Sequence, residues 1–203
     1  MKKIAIIGAS YLQLPLVKKV KEMGLFSICF AWADGAICKE VADEFYPISI
    51  VEKEQILAIC CEKKIDGVCT IASDVAAPTV AYVAENMRLV GNSYKVALRA
   101  YNKYLMRKAF SDAGIPCPAY QKIMSFEEVD KEALSYPVIV KPTDRSGSLG
   151  ITKVDRQEDL LIAIETALDC SFNREAVIEE FIEGREIVKV IVVPKKLVNI
   201  VVK

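Results

Sequence analysis

Histidine is absent from all 203 residues. That absence removes Ser-His-Asp and Cys-His nucleophile systems and every histidine-based metal site. Acid-base or metal chemistry must then use carboxylates, lysine or the substrate itself. Net charge is lacking too: 27 basic side chains balance 27 acidic ones, which gives no electrostatic case for nucleic acid as the main partner. The hydrophobic fraction reaches 53%, but no apolar run is long enough to span a bilayer. The opening "MKKIAIIGAS" has the basic-then-apolar order of an export signal. Its apolar part is too short, however, and ends in a turn that feeds an amphipathic helix, so it predicts a buried first strand. The 7 cysteines are odd in number and include no C-x-x-C pair, which fits reduced core thiols in a cytoplasmic protein. Both the Walker pattern and the spaced glycines of a dinucleotide fingerprint are missing.

What is present first is alternation. "KKIAIIG" reads as a strand, "LQLPLVKKVKEMG" as a helix stopped by Gly24, and "LFSICFAW" as a second strand. "EKEQILAICCEKK" is a helix, "DGVCTIAS" a strand, and "VAAPTVAYVAENM" a helix with Asp74 as its N-cap. Strands alternating with helices predict βαβ units on a parallel sheet, running to about residue 92. "SYKVALRAYNKYLMRKAFSDAG" predicts one basic, aromatic helix, closed by Gly114 with Pro116 and Pro118 beyond it. A short strand follows at 119–123, and Ser125 with Glu128 forms a capping-box pattern opening a helix. "PVIVKP" and "GITKV" predict strands around a loop, and "RQEDLLIAIETAL" a helix. "EAVIEEFI" is a strand leading into "GREIVKVIVV", with "LVNIVVK" as the hairpin partner of the latter. A small sheet of this kind needs further strands or a covering layer, which suggests a piece of a longer protein.

Three stretches can carry chemistry. In "VIVKPTDRSGSLGITKV", alternation puts Ile139 and Lys141 on one face of a strand. The loop after it joins strand to strand, so its small residues can close over phosphates as a flap while Lys141 supplies a point charge. An ordinary hairpin with a surface lysine is the bland alternative. In "VIEEFIEGRE", a strand running into a linker can meet an adenine edge, and a later glutamate can accept from ribose hydroxyls, although acidic strand ends are commonly only solvated. Lys103, in "YNKYLMRKAFSDAGIP", has surface charge as its plain alternative.

Taken in order, these stretches resemble the ATP-grasp superfamily over nearly the whole chain. "IAIIGASYLQLPLVKKVKEMG" and "DGVCTIASDVAAPTVAYVAE" look like the Rossmann-like pre-ATP-grasp domain, and the three chemical stretches look like successive ATP-binding motifs. The wording is nearest to proteins described as carbamoyl-phosphate synthase-like or phosphoribosylamine–glycine ligase-like. The resemblance implies an α/β fold: a Rossmann-like parallel sheet at 1–92, a helical linker at 93–118, and at 119–203 an incomplete α+β ATP-grasp domain. It matches Lys103 and Lys141 to the two phosphate lysines. Ser146, Gly147, Ser148 and Gly150 match the flap, Glu179, Glu180, Phe181 and Ile182 the adenine hinge, and Glu186 the ribose-binding acid. Asp144 and Arg145 depart from relatives with glycine there. The implied activity is an ADP-forming ligase joining a small-molecule carboxylate and an amine through an acyl phosphate. Its Mg²⁺ ligands are expected beyond residue 203, so that the chain alone would not turn over. A homodimer is compatible with this, and nucleic acid and membrane are not expected partners. Weaker substrate contacts fall at strand ends, on Ser10, Tyr11, Ser73 and Asp74. Two rivals stay open: a Rossmann-like module binding a nucleotide or sugar, and a phosphotransferase without the ligation step. Dependence of ADP release on an amine co-substrate separates ligase from kinase.

Overall fold

The β-branched run "KIAII" forms β1 (Lys3–Ile7), and its Ala5, Ile6 and Ile7 are fully buried in the computed structural model. The structure describes residues 1–182 and, beyond them, the backbone of the strands at 187–193 and 197–202. The chain divides into two units, Met1–Tyr101 and Asn102–Lys203.

In the first unit β1 pairs in parallel with β2 (Phe26–Phe30) and β4 (Gly67–Cys69), and β2 pairs with β3 (Glu44–Tyr46), giving the order β3-β2-β1-β4. Both sheet faces are covered, as a parallel sheet requires. Ala5, Ile7, Ile28 and Phe30 point to one side, where they pack with Ile56 and Cys60 of α2 (Lys53–Lys63) and Val83 of α3 (Ala77–Asn86). Ile6 and Cys29, one residue out of phase, point to the other side and meet Val17 and Val20 of α1 (Leu14–Glu22). The strand β3 is not foreshadowed in the sequence; it has three residues and forms by pairing with Ile28–Phe30. Asp74 does not cap α3. Ala76 holds that position, and Asp74 contributes only its carbonyl, to the Ala77 amide.

The long helical pattern at 93–114 breaks in two, α4 (Tyr94–Tyr101) and α5 (Lys103–Asp112). Asn102 causes the break: its backbone is extended and its side-chain oxygen accepts from the Leu105 amide at 3.0 Å, an N-cap in the middle of an apolar repeat. Unit two is built on an antiparallel sheet, order β5-β8-β6-β7, from β5 (Tyr120–Ile123), β6 (Val138–Pro142), β7 (Thr152–Val154) and β8 (Ala176–Glu180). Val138, Val140 and Ile178 face α6 (Leu160–Cys170) and bury Leu160, Ile164 and Ala167 against the sheet. The capping box at Ser125 opens only a three-residue 3₁₀ turn, 126–128. Ser125 makes no capping bond to a backbone amide, and the Glu128 carboxylate accepts from the Met124 amide instead. The final hairpin is antiparallel as expected, β9 (Ile187–Val193) with β10 (Leu197–Val202).

Candidate functional site

Alternation along β6 decides which side chains are offered to a ligand. Val138, Val140 and Pro142 are buried, while Ile139 and Lys141 share the opposite face, away from α6. The helix α5 lies along that second face. Tyr104 sets its ring against Tyr120 of β5 at 5.9 Å, and Arg107, one turn further on, reaches Glu179 of β8.

Glu179 is the centre of this face. It is 4% exposed, and its Oε2 accepts from Lys141 Nζ at 2.8 Å and from the Arg107 guanidinium at 3.0 Å. Burial pushes this carboxyl up, but the Arg107 hydrogen bond and the Lys141 charge outweigh burial and hold it below the ordinary carboxylate range. Glu179 is therefore no solvated strand end. Its backbone sits inside the ladder, opposite Tyr120 on one side and Ile139 on the other. What it has left for a ligand is Oε1, which is buried and has no hydrogen-bond partner among the described residues; the same holds for Arg107 Nε and Thr143 Oγ1.

The start of α5 is pinned to the end of β6. The Lys103 amide donates to the Thr143 carbonyl at 2.9 Å, and its ammonium donates to the Arg145 carbonyl inside the loop. Lys103, Lys141 and the loop thus meet at one end of the sheet, although 38 residues separate the two lysines in sequence. In the loop, Ser146, Gly147, Ser148 and Leu149 are exposed. Gly147, Ser148 and Gly150 adopt left-handed φ values of 66°, 58° and 71°. Gly150 has a second reason to be glycine, since a Cβ there would stand 2.8 Å from Cys170 Cβ and 2.9 Å from Pro142 Cγ.

At the end of β8 the Glu180 amide donates to the Ala119 carbonyl and, just beyond it, the Phe181 amide to the Pro137 carbonyl, while Lys153 Nζ stands 4.6 Å over the Phe181 ring. Ile182 closes the described stretch, and Glu186 lies outside the described residues. A cavity of about 230 Å³, lined by Tyr120, Leu134, Val138, Ile178 and Glu180 among others, opens at this end of the sheet but takes in neither lysine nor the loop.

In the first unit Ser10 is held by Gln13, Tyr11 is 67% exposed, Ser73 is half-buried and Asp74 is exposed. All seven cysteines are free thiols. Burial pushes the Cys29 and Cys60 thiols up to about 12, which leaves them unreactive near neutral pH. Two residues of consequence escape sequence reasoning. Arg107 has one signal, its place four residues after Lys103 and so on the same helix face. Gln13 has none.

Residues 109–202 match the family model described as D-ala D-ala ligase C-terminus. A D-alanine--D-alanine ligase of Listeria monocytogenes is 36% identical over 113 residues, which are 50% of this chain and 30% of that ligase. Among solved structures, phosphoribosylglycinamide synthetase from Anaerococcus prevotii superposes with a TM-score of 0.61 at 26% identity, over 92% of this chain and 47% of its own. L-amino acid ligase from Bacillus licheniformis gives a TM-score of 0.68 at 23% identity, over 98% of this chain and 49% of its own. The chain spans less than a third of the curated ligases it matches and about half of the solved structures.

Proposed function

The chain is an ATP-grasp protein, and we propose from that premise that its second unit holds ATP for a carboxylate–amine ligase. One observation carries the reading: the Lys103 ammonium on the Arg145 carbonyl draws α5, the end of β6 with its Lys141, and the loop into one anion-ready corner. The outer phosphates lie under Ser146, Gly147, Ser148 and Gly150, between the two lysines. The base lies toward Glu179–Ile182, where Glu179 Oε1 supplies a buried acceptor for a donor on the ligand; the ribose role stays with Glu186 by resemblance alone, outside the described residues.

The whole protein would transfer the γ-phosphoryl group to a substrate carboxylate, and an amine would then displace phosphate from the acyl phosphate. The work of the named residues is positioning and charge neutralisation, which is most of what phosphoryl transfer asks of a protein. No histidine is needed for it. Mg²⁺ is the expected partner of the phosphates, but among the described residues no group of three or more carboxylate or thiol side chains gathers to hold a metal.

The test replaces Lys103 or Lys141 by Met and compares ATP with adenosine by calorimetry. Loss of a charge-assisted phosphate contact costs about 1.5–3 kcal/mol, so ATP should weaken at least about ten-fold while adenosine holds. Equal weakening of both ligands would leave the lysines as supports of the fold and sink the reading.

A further inference from the structure

Open parallel sheets hold phosphate at the turn after β1, through free amides at the start of the next helix. In this chain the side chain of Gln13 occupies that turn. Its Oε1 accepts from the Ser10 amide at 3.1 Å and from the Ser10 hydroxyl at 2.7 Å. The Leu12 amide donates to Ser10 Oγ at 3.2 Å and the Gln13 amide to the Ser10 carbonyl at 3.1 Å. A Cβ on Gly8 would meet Gln13 Cδ at 3.0 Å, so the glutamine side chain fills the cradle itself. Gln13 Nε2 then donates to the Ile71 carbonyl at 2.6 Å, which ties this turn to the one after β4. The turns at this sheet edge, 8–13, 31–37 and 70–76, contain Asp34 and Asp74 and no lysine or arginine. A phosphate arriving here would find the Ser10, Leu12 and Gln13 amides engaged, a glutamine side chain in the cradle and no cation in these three turns.

Beside Asp74 lies a cavity of about 340 Å³ within the first unit. Val68, Val80, Ala81, Val96 and Ala97 give it an apolar wall, Thr70, Asn92 and Tyr101 add uncharged polar groups, and Asp74 is the only charged residue among the described residues that line it. Lys95 and Arg99 stand on α4 outside that lining. Ion pairs of this unit, Lys21–Asp43, Lys63–Glu44 and Lys53–Glu54 among them, engage other carboxylates.

We propose that this cavity binds a primary amine with an apolar body, its ammonium on Asp74, and that the same sheet edge rejects phosphorylated ligands. An apolar wall with one carboxylate at its rim suits such a cation: the body gains from leaving water and the charge keeps a partner. A phosphosugar reverses both terms. That this amine is the co-substrate of ligation rests on the ligase reading above. The binding itself does not.

Calorimetry on the full chain at pH 7 tests it with 3-methylbutylamine, 2-phenylethylamine, 3-methyl-1-butanol and ribose 5-phosphate. The amines should bind at least about ten-fold more tightly than the alcohol, the share of one charge-assisted contact. Asp74→Asn should bring 3-methylbutylamine down to the alcohol's level. Ala100→Phe, at an exposed lining position of α4, should close the cavity to amines and alcohol alike. The proposal falls if ribose 5-phosphate matches the amines, if neither variant changes amine binding, or if the heat tracks self-association of the chain. ATP titrated into the same samples separates the two readings. ATP binding without amine binding overturns the amine site alone; amine binding without ATP binding overturns the nucleotide reading alone.

Discussion

Replacing Lys141 by Met tests whether Glu179 is held ionised by its two cations. The Glu179 side chain is 5% accessible, that of Lys141 16% and that of Arg107 19%, so water screens the cluster poorly. At an effective dielectric of about 20, a unit pair 2.8 Å apart, the Lys141–Glu179 separation, attracts by about 6 kcal/mol before desolvation. Desolvation takes back most of that, leaving a net of about 1.5–3 kcal/mol for a charged hydrogen bond. Methionine keeps the apolar stem and removes only the charge. Lys141→Met should therefore lower unfolding stability by about 2 kcal/mol in urea titrations followed by circular dichroism. Glu179→Gln should also destabilise, because it leaves two cations converging on a neutral amide. The double variant should cost about 2 kcal/mol less than the sum of the singles, since the lost partner is then no longer needed. The pH dependence has a definite sign. The folded carboxyl titrates below its unfolded value, so its contribution is complete above that value, near pH 4, and is lost as pH falls through the lowered one. The penalty of Lys141→Met should shrink in that acid range. Single-variant costs that add within about 0.5 kcal/mol would refute the coupling.

Asn102→Ala removes the cap that begins α5 and should cost about 1 kcal/mol, read as a lower thermal midpoint; an unchanged midpoint would mean the side-chain bond to Leu105 contributes nothing. Gly150→Ala meets both a left-handed backbone and a Cβ 2.8 Å from Cys170, so a loss on the order of 2–4 kcal/mol is expected in the same urea titration, and wild-type stability would contradict the close approach. Asp43 titrates at about 2, because the Lys21 and Ser27 hydrogen bonds outweigh its burial. Its contribution to stability is present above its unfolded value of about 4 and disappears as pH falls through about 2. Asp43→Asn should accordingly destabilise at neutral pH and flatten the stability curve between those two values.

What the sequence made legible follows from how far each cause reaches along the chain. The strand β1 is local: a β-branched run ends at Gly8, whose φ of 110° only glycine adopts easily. The face that carries Lys141 is also local, because the two-residue period of a strand fixes it. By contrast, β3 takes its shape from β2, about 16 residues earlier, and its three residues carry no period of their own. The split of the helical run at Asn102 was hidden because asparagine costs little within a helix and announces a cap only when the backbone turns extended. Arg107 and Glu179 are 72 residues apart, so nothing in either neighbourhood shows that a buried carboxylate is being neutralised. The strand period made the face of Lys141 legible; its cluster with Arg107 and Glu179 needed the sheet.

If the loop after Lys141 closes over phosphates as proposed, its departure from glycine need not weaken it. Asp144 is 1% exposed, and its carboxylate accepts from the Phe172 amide at 3.2 Å and the Asn173 amide at 3.0 Å. Arg145 lays its guanidinium 4.3 Å over the Phe172 ring. These two residues fasten the base of the loop to the chain that leaves α6. At the other end Gly150 is wedged between Pro142 and Cys170. Movement that breaks none of these contacts is confined to Ser146–Leu149, the exposed residues. Within that segment the Leu149 amide reaches the Ser146 carbonyl only at 3.5 Å, and from beyond it the Ile151 amide reaches the Ser148 carbonyl at 3.4 Å, both near the limit of a hydrogen bond. A glycine at 144 would lengthen the moving part and cost more chain entropy each time it closed. With aspartate there, the proposed closure would ask for movement of four residues and for two long turn bonds that an anion could replace with shorter ones.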